Sequence, residues 1–237
     1  MFDLGKALAQ LIFSPGRFNT LWDLLEDEDA ANTHFQKWQY KTYDLVSEEV
    51  FTGPVSSLGE DQKSRVKQSY REEISTARLH YANMMLVTAY TYLEDNVATF
   101  FYEAFLAKPK LMIEFVVRDK GDSTIPLSLL IEEDKETILE RMARETSPKA
   151  SNGDIHKVCK RIKSVSGFDI PTQLQNKISV LQKRRNRIVH EATTIDLDRE
   201  DVISSFDTVQ ELLVNLGKAA NSMGVPVFDP AGLLDGE

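Results

Sequence analysis

The sequence predicts an all-α protein: a helical bundle that carries an N-terminal helical extension. Three observations predict it. Glu60 to Lys108 contains neither Gly nor Pro, so nothing breaks one long helix or two nearly collinear ones. Val202, Phe206, Val209, Leu212, Leu213 and Leu216 recur at the three-and-four spacing that gathers side chains on one side of a helix. Ile178, Leu181, Arg185 and Ile188 repeat that spacing in a segment that opens near Pro171.

In chain order, Phe2 to Phe13 reads as a short helix ended by Ser14-Pro15-Gly16. Phe18 to Leu25 reads as a second one, before the acidic Glu26-Asp27-Glu28-Asp29. From about Ala30 to Val50, Ala31, Phe35, Trp38 and Leu45 recur at helical spacing, with Thr42 the one polar residue on the stripe. Thr52-Gly53-Pro54 and Gly59 break the chain. The long stretch that follows is polar at first, with a narrow stripe of Val66, Tyr70, Ile74 and Tyr81. From Met84 to Phe105 it is apolar almost all round and reads as the central helix of the core. Glu94 lies on that stripe among Tyr90, Val97 and Phe101. A carboxylate buried there without a partner would cost several kcal/mol. Glu94 is therefore paired with a basic group, or near a site, or exposed at the helix edge.

Lys110 to Arg118 fits helix and strand equally, and Lys120-Gly121-Asp122 turns the chain. Pro126 to Glu145 reads as a helix whose outer face carries Glu132, Glu133 and Glu136. Ser147-Pro148 and Ser151-Asn152-Gly153 read as a linker, and Asp154 as the cap of a short basic helix, Ile155 to Val165, ended by Ser166-Gly167. Asp169 or Thr172, with Pro171, opens the next helix. A final amphipathic helix runs from about Arg199 to Met223, and Gly224 to Glu237, with Pro226 and Pro230, reads as irregular. The expected organisation is a helical extension over residues 1–78, a helical domain over 79–223 and a tail over 224–237.

Composition narrows the function. At 237 residues and 42% hydrophobic content the chain can fill a core. A single cysteine, Cys159, excludes an internal disulfide and fits a reducing, cytoplasmic location. No run approaches the roughly 20 apolar residues of a membrane span. Met1 to Phe13 lacks the small-residue cleavage site of a signal peptide. The net charge of −9 argues against a general nucleic-acid coat. Yet from Lys157 to Arg187 nine Lys and Arg stand against Asp169 alone. A local basic patch on an acidic body suits a focused phosphate site; its bland counterpart is a solvated charged face.

The densest part of that patch is Lys183-Arg184-Arg185-Asn186-Arg187, closed by His190. On a helix, Asn186 and His190 lie one turn apart on the same face. Arg185 is about 140° round from His190 by the 3.6-residue repeat, within reach of a long side chain. A planar cation, an amide and an imidazole can then meet at one anionic group, which is the chemistry phosphate recognition asks for. The bland counterpart is a helix end whose histidine is favoured by the helix dipole.

Arg185-Asn186-x-x-x-His190 resembles the signature of the HEPN superfamily. From about residue 79 to 222 the order of elements is also similar to that layout. A long apolar helix comes early, the motif helix late, then a short loop and a closing helix. Residues 1–78 have no counterpart in it. The resemblance implies a HEPN-like bundle acting as a metal-independent endoribonuclease of toxin, phage-defence or RNA-processing type, with no cofactor. It implies a symmetric homodimer that brings two motifs into one cleft. His190 is then the general acid/base, Arg185 the phosphorane stabiliser, and Asn186 the positioner of the phosphate or of the opposite histidine. Lys183, Arg184 and Arg187 would steer RNA, with Glu94 as an accessory residue. Products would carry 2′,3′-cyclic phosphate and 5′-hydroxyl ends. Implied partners are RNA, a second copy and an inhibitor or antitoxin protein. The chain departs from one subgroup, which has a tyrosine two residues after the histidine; here Ala192 stands there, so regulation by nucleotide addition is not implied. The alternative reading is a non-catalytic helical scaffold for dimerisation or RNA binding, which the acidic remainder of the chain favours.

Other constellations are thin. His156 and Cys159 are three apart but lack a second pair at metal-ligand spacing. His34 and His80 are isolated. No Gly-rich phosphate loop, Gly-x-Ser-x-Gly or Glu-x-x-His pair is present. Basic neighbours would lower the Cys159 pKa, but it has no identifiable partner and reads as a buried structural cysteine.

Overall fold

A computed structural model describes residues 1–43, 48–116 and 134–234. Strand β1 (Phe2–Asp3) leads into α1 (Leu4–Glu26) and α2 (Glu28–Lys37). Strands β2 (Gln39–Tyr43) and β3 (Val50–Pro54) form an antiparallel pair, with Gln39 opposite Pro54 and Tyr43 opposite Val50. Then come α3 (Glu60–Ala107), a 3-10 turn (Pro109–Met112) and one helical turn (Ile113–Val116). The remainder is α4 (Lys135–Ser151), α5 (Ile155–Ser166), α6 (Thr172–His190), α7 (Arg199–Ser222) and β4 (Val227–Phe228). The predicted all-α bundle is the architecture observed.

Helix α3 organises it. Its 48 residues, unbroken because Gly and Pro are absent, span about 72 Å at 1.5 Å per residue. The C-terminal half buries Leu86, Tyr90, Leu93, Val97, Phe101 and Phe105 in the main core. Helices α1, α4, α6 and α7 pack on α3, and α1 also packs on α7. All six positions expected to be buried in α7 are so. Asp154 caps α5 through a 3.0 Å bond from His156 N, and Gly167, at φ +77°, ends it. At the start of α7, Asp198 and Asp201 bond each other's backbone N–H, at 2.8 and 3.4 Å. Asp198→Ala is expected to cost about 1 kcal/mol. Calorimetry should read this as a Tm lower by about 2–4 °C in a chain of this size.

Several expectations are corrected. The two short helices at the N-terminus are one, α1, with Pro15 inside it. Leu11 and Phe18, on either side of that proline, are both buried in the same core. Their burial outweighs the roughly 3 kcal/mol that an interior proline costs. The linker expected at Ser147-Pro148 is the last turn of α4, held because Thr146, Ser147 and Ala150 are buried. The helix expected to reach Val50 stops at Lys37, and the chain enters β2. Trp38 caps α2 with an extended backbone, and the aromatic and β-branched residues that follow favour a strand. The turn at Lys120–Asp122 and the first part of the helix expected from Pro126 lie outside the described residues.

The organisation differs too. The boundary expected at residue 78 falls inside α3, and Leu4, Leu8, Leu11, Phe18 and Trp22 share one core with Phe101 and Phe206. Only α2, the hairpin and the first half of α3 build something separate: a small cluster of Phe35, Val55 and Tyr70 with Trp38 and Tyr40 against it. The tail expected to be irregular contains β4, which pairs in parallel with β1, Phe2 opposite Val227. Val225 is buried beside it.

Candidate functional site

Helix α6 is fixed to the bundle by Leu174, Ile178 and Leu181, all buried. Gln182 fastens one flank: its amide accepts from Ile155 N at 3.2 Å and donates to Gly153 O at 2.9 Å, at the start of α5. Past His190 the chain folds back, with Glu191 N and Thr193 N both donating to Arg187 O at 3.2 Å. Ala192 sits at φ +49°, where a non-glycine residue is uncommon. The loop is clamped to α3 by Asn83, a buried side chain that donates to Ile195 O at 2.8 Å and accepts from Ile195 N at 3.0 Å. The C-terminal end of α6 is therefore held on three sides.

There Arg185, Asn186 and His190 come together. Arg185 Nη1 donates to Asn186 Oδ1 at 3.2 Å and meets His190 Nε2 at 3.1 Å. A guanidinium can only donate, so Nε2 is the acceptor in this contact. The other terminal nitrogen, Nη2, lies 3.7 Å from Glu94 Oε2, and Arg185 Cζ stands 5.8 Å from the Tyr90 ring centroid. The guanidinium is thus held by a carboxylate, an amide, an imidazole and a π face. Arg185 Nε is buried without a hydrogen-bond partner. Glu94 answers two of these expectations at once: it is half-exposed at the edge of α3 and close to a basic group.

Sequence reading missed Tyr90 and Gln182. Tyr90 is buried; burial first and Glu94 second push its hydroxyl pKa up, while Arg185 and a hydrogen bond from Gln182 oppose the shift. It stays a phenol beneath the guanidinium. The signal was there, a tyrosine four residues before a glutamate on an apolar helix, but it needs α6 alongside to acquire meaning.

The other basic residues divide. Lys183, Asn186, Arg187 and His190 are exposed at three- and four-residue spacings, so they form one face. Among the described residues no ion pair engages Lys183 or Arg187. Arg184 is different: its Nη1 donates to Asp201 Oδ1 at 2.8 Å, tying α6 to the capped start of α7. That contact gives Arg184 a part in joining the two helices, beside the RNA-steering role expected of it. Arg184→Ala should reduce stability by no more than about 1 kcal/mol, since solvent screens a partly exposed pair. On the expected RNA-binding reading, Lys183→Ala and Arg187→Ala should each flatten the salt dependence of RNA binding by about 0.7 in the log–log slope per lost phosphate contact. Anisotropy titrations across a salt series check both.

Two other histidines have side-chain partners. His156 Nδ1 meets Gln175 Oε1 at 3.2 Å, and His34 Nδ1 meets the Tyr70 hydroxyl at 2.8 Å. Burial pushes the Cys159 thiol up to about 12, with Asp169 and Asp154 adding to it, so the basic neighbours do not activate it. Among the described residues no three His, Cys, Asp or Glu side chains gather as a metal site, and no helix is long and apolar enough to cross a membrane. Comparisons with protein-family models, with curated proteins and with solved structures found no match to this chain.

Proposed function

We propose that this protein is a metal-independent endoribonuclease of the HEPN type, working as a symmetric homodimer and leaving 2′,3′-cyclic phosphate and 5′-hydroxyl ends. One observation carries the reading. Arg185 touches His190 and Asn186 together, at 3.1 and 3.2 Å, at the exposed end of a well-anchored helix. A solvated basic face needs no such convergence.

The chemistry uses these groups as follows. An RNA phosphate entering the site competes for the Arg185 guanidinium, which is then drawn from His190 and leaves Nε2 free. That nitrogen takes the 2′-hydroxyl proton, the 2′-oxygen attacks the adjacent phosphorus, and the bond to the 5′-oxygen breaks. The leaving oxygen needs a proton, and in-line geometry puts it on the opposite side of the phosphorus from the base. His190 of a second copy, protonated, supplies that proton across a two-fold axis. Arg185 stabilises the charge on the phosphorane, and Asn186 positions the phosphate or the opposite imidazole. Glu94 and Tyr90 hold Arg185 in place, and Lys183 and Arg187 attract the flanking backbone. The inhibitor or antitoxin that a toxin role requires would act by covering this face.

Incubating the purified protein with total RNA and with tRNA in EDTA tests the reading, and cleavage is the expected result. RNA that is bound but intact in every buffer would leave a non-catalytic RNA-binding scaffold instead. The dimer has its own check. Light scattering at micromolar concentration should give twice the 26.9 kDa chain mass. A stable monomer would remove the shared-site mechanism.

A further inference from the structure

A second feature lies beside the motif and is not used by the chemistry above. Helix α3 and the loop after α6 enclose an open cavity of about 420 Å³. His80, Met84, Val87 and Thr88 of α3 form one wall, and Ile188 with the loop from Ala192 to Thr194 forms the other. Among the described residues no Lys, Arg, Asp or Glu lines it. Met84 presents its thioether openly, at 55% exposure.

We infer that this cavity is a nucleobase subsite for the RNA strand whose phosphate is held by Arg185. This rests on the RNA-cleaving reading. Three features select a base as the occupant. The first is charge: the cationic groups, Arg185, Lys183 and Arg187, all lie outside the cavity, so the backbone belongs with them and an uncharged moiety belongs inside. The second is chemistry. A thioether and an imidazole both pack well against a flat aromatic ring, and the hydroxyl oxygens of Thr88 and Thr193, which donate to Met84 O and Glu191 O, can accept from its amino edge. The third is distance. Glu94, which touches Arg185, and Val87, which lines the cavity, are seven residues apart on one rigid helix, about 10 Å at 1.5 Å per residue. That is within the span of a dinucleotide.

The cavity is also formed in advance. Its loop wall is anchored by the paired Asn83–Ile195 bonds at 2.8 and 3.0 Å, so a base entering it meets a surface that need not be ordered first. Because the loop residues immediately follow His190, the same segment that ends the motif helix selects what sits beside the scissile bond.

The test is a binding titration of the full chain with short fluorescent oligoribonucleotides, 2′-O-methylated so that they cannot be cleaved, intact or with single abasic positions. The proteins are wild type, Met84→Ala and His80→Ala, each checked by circular dichroism and sedimentation. The expected result is a roughly ten-fold loss of affinity for one particular abasic oligomer with wild type. Met84→Ala should weaken the intact oligomer comparably but leave that abasic oligomer unchanged, and His80→Ala should act in the same direction. Intact and abasic oligomers binding equally well to all three proteins would overturn the subsite while leaving the RNA reading in place. No oligomer binding to wild type would overturn the RNA reading, and the subsite with it. A dimer that dissociates on Met84→Ala, with no base discrimination, would assign the surface to the second copy and overturn the subsite.

Discussion

His190→Ala is expected to lower RNA cleavage by about 10²-fold or more, because in the proposed mechanism it removes the group that moves the proton at the 2′-oxygen and, in the second copy, at the 5′-oxygen. Both ends of the reaction lose their shuttle together. His190 is exposed at the last position of α6 and adds nothing to the core, so circular dichroism and Tm should be unchanged. RNA binding should also persist, since Lys183, Arg185 and Arg187 remain. Loss of cleavage with retained binding and fold therefore isolates chemistry from structure. Cleavage retained by His190→Ala would mean that the motif is not the active site.

Arg185→Ala should have an effect of the same order for a different reason. A pre-oriented cation aimed at the phosphorane contributes about 3 kcal/mol, which is roughly 10²-fold in rate. Arg185→Lys should restore only part of it. An ammonium lacks the planar fork that reaches Asn186, His190 and Glu94 at once, and it cannot lie over Tyr90 as a guanidinium does. Removing this charge also frees His190 Nε2 from its hydrogen-bond partner and leaves Glu94 without its nearby cation. A rate of Arg185→Ala within a few-fold of wild type would show that the guanidinium serves the fold rather than the reaction.

What the sequence made legible follows from the range of the forces involved. The helices that bury one broad apolar stripe, α3 and α7, were readable because a period of 3.6 is a local property. So were the caps of α5 at Asp154 and Gly167, where the residue type satisfies the orphan N–H groups or takes the positive φ. Failures came where distant packing overruled local signals. Pro15 and Pro148 read as breaks, yet buried neighbours on both sides carry the helix through them. The stripe through Trp38 and Leu45 reads as helical across Gln39–Tyr43, where only Thr42 falls on it, but that segment pairs as a strand with Val50–Pro54.

The site divides the same way. Asn186 and His190 at one-turn spacing, with Arg185 in reach, were visible in the sequence because one helix contains all three. Tyr90, Gln182 and Asn83 were not, because their roles exist only where α3, α5, α6 and the loop to α7 meet. Arg184 shows what packing adds. Within the string of basic residues it looked equivalent to Arg187, and only the packing of α7 on α6 distinguishes them by bringing Asp201 to Arg184.

The central claim is that Arg185, Asn186 and His190 cleave RNA by attack of the neighbouring 2′-hydroxyl. Analysis of the ends of cleaved RNA tests it most directly, with wild-type and His190→Ala protein side by side in EDTA. Fragments carrying 2′,3′-cyclic phosphate and 5′-hydroxyl ends, made by wild type and reduced about 10²-fold by His190→Ala, are the result this account predicts. Fragments with 5′-phosphate ends, or equal cleavage by the two proteins, would contradict it.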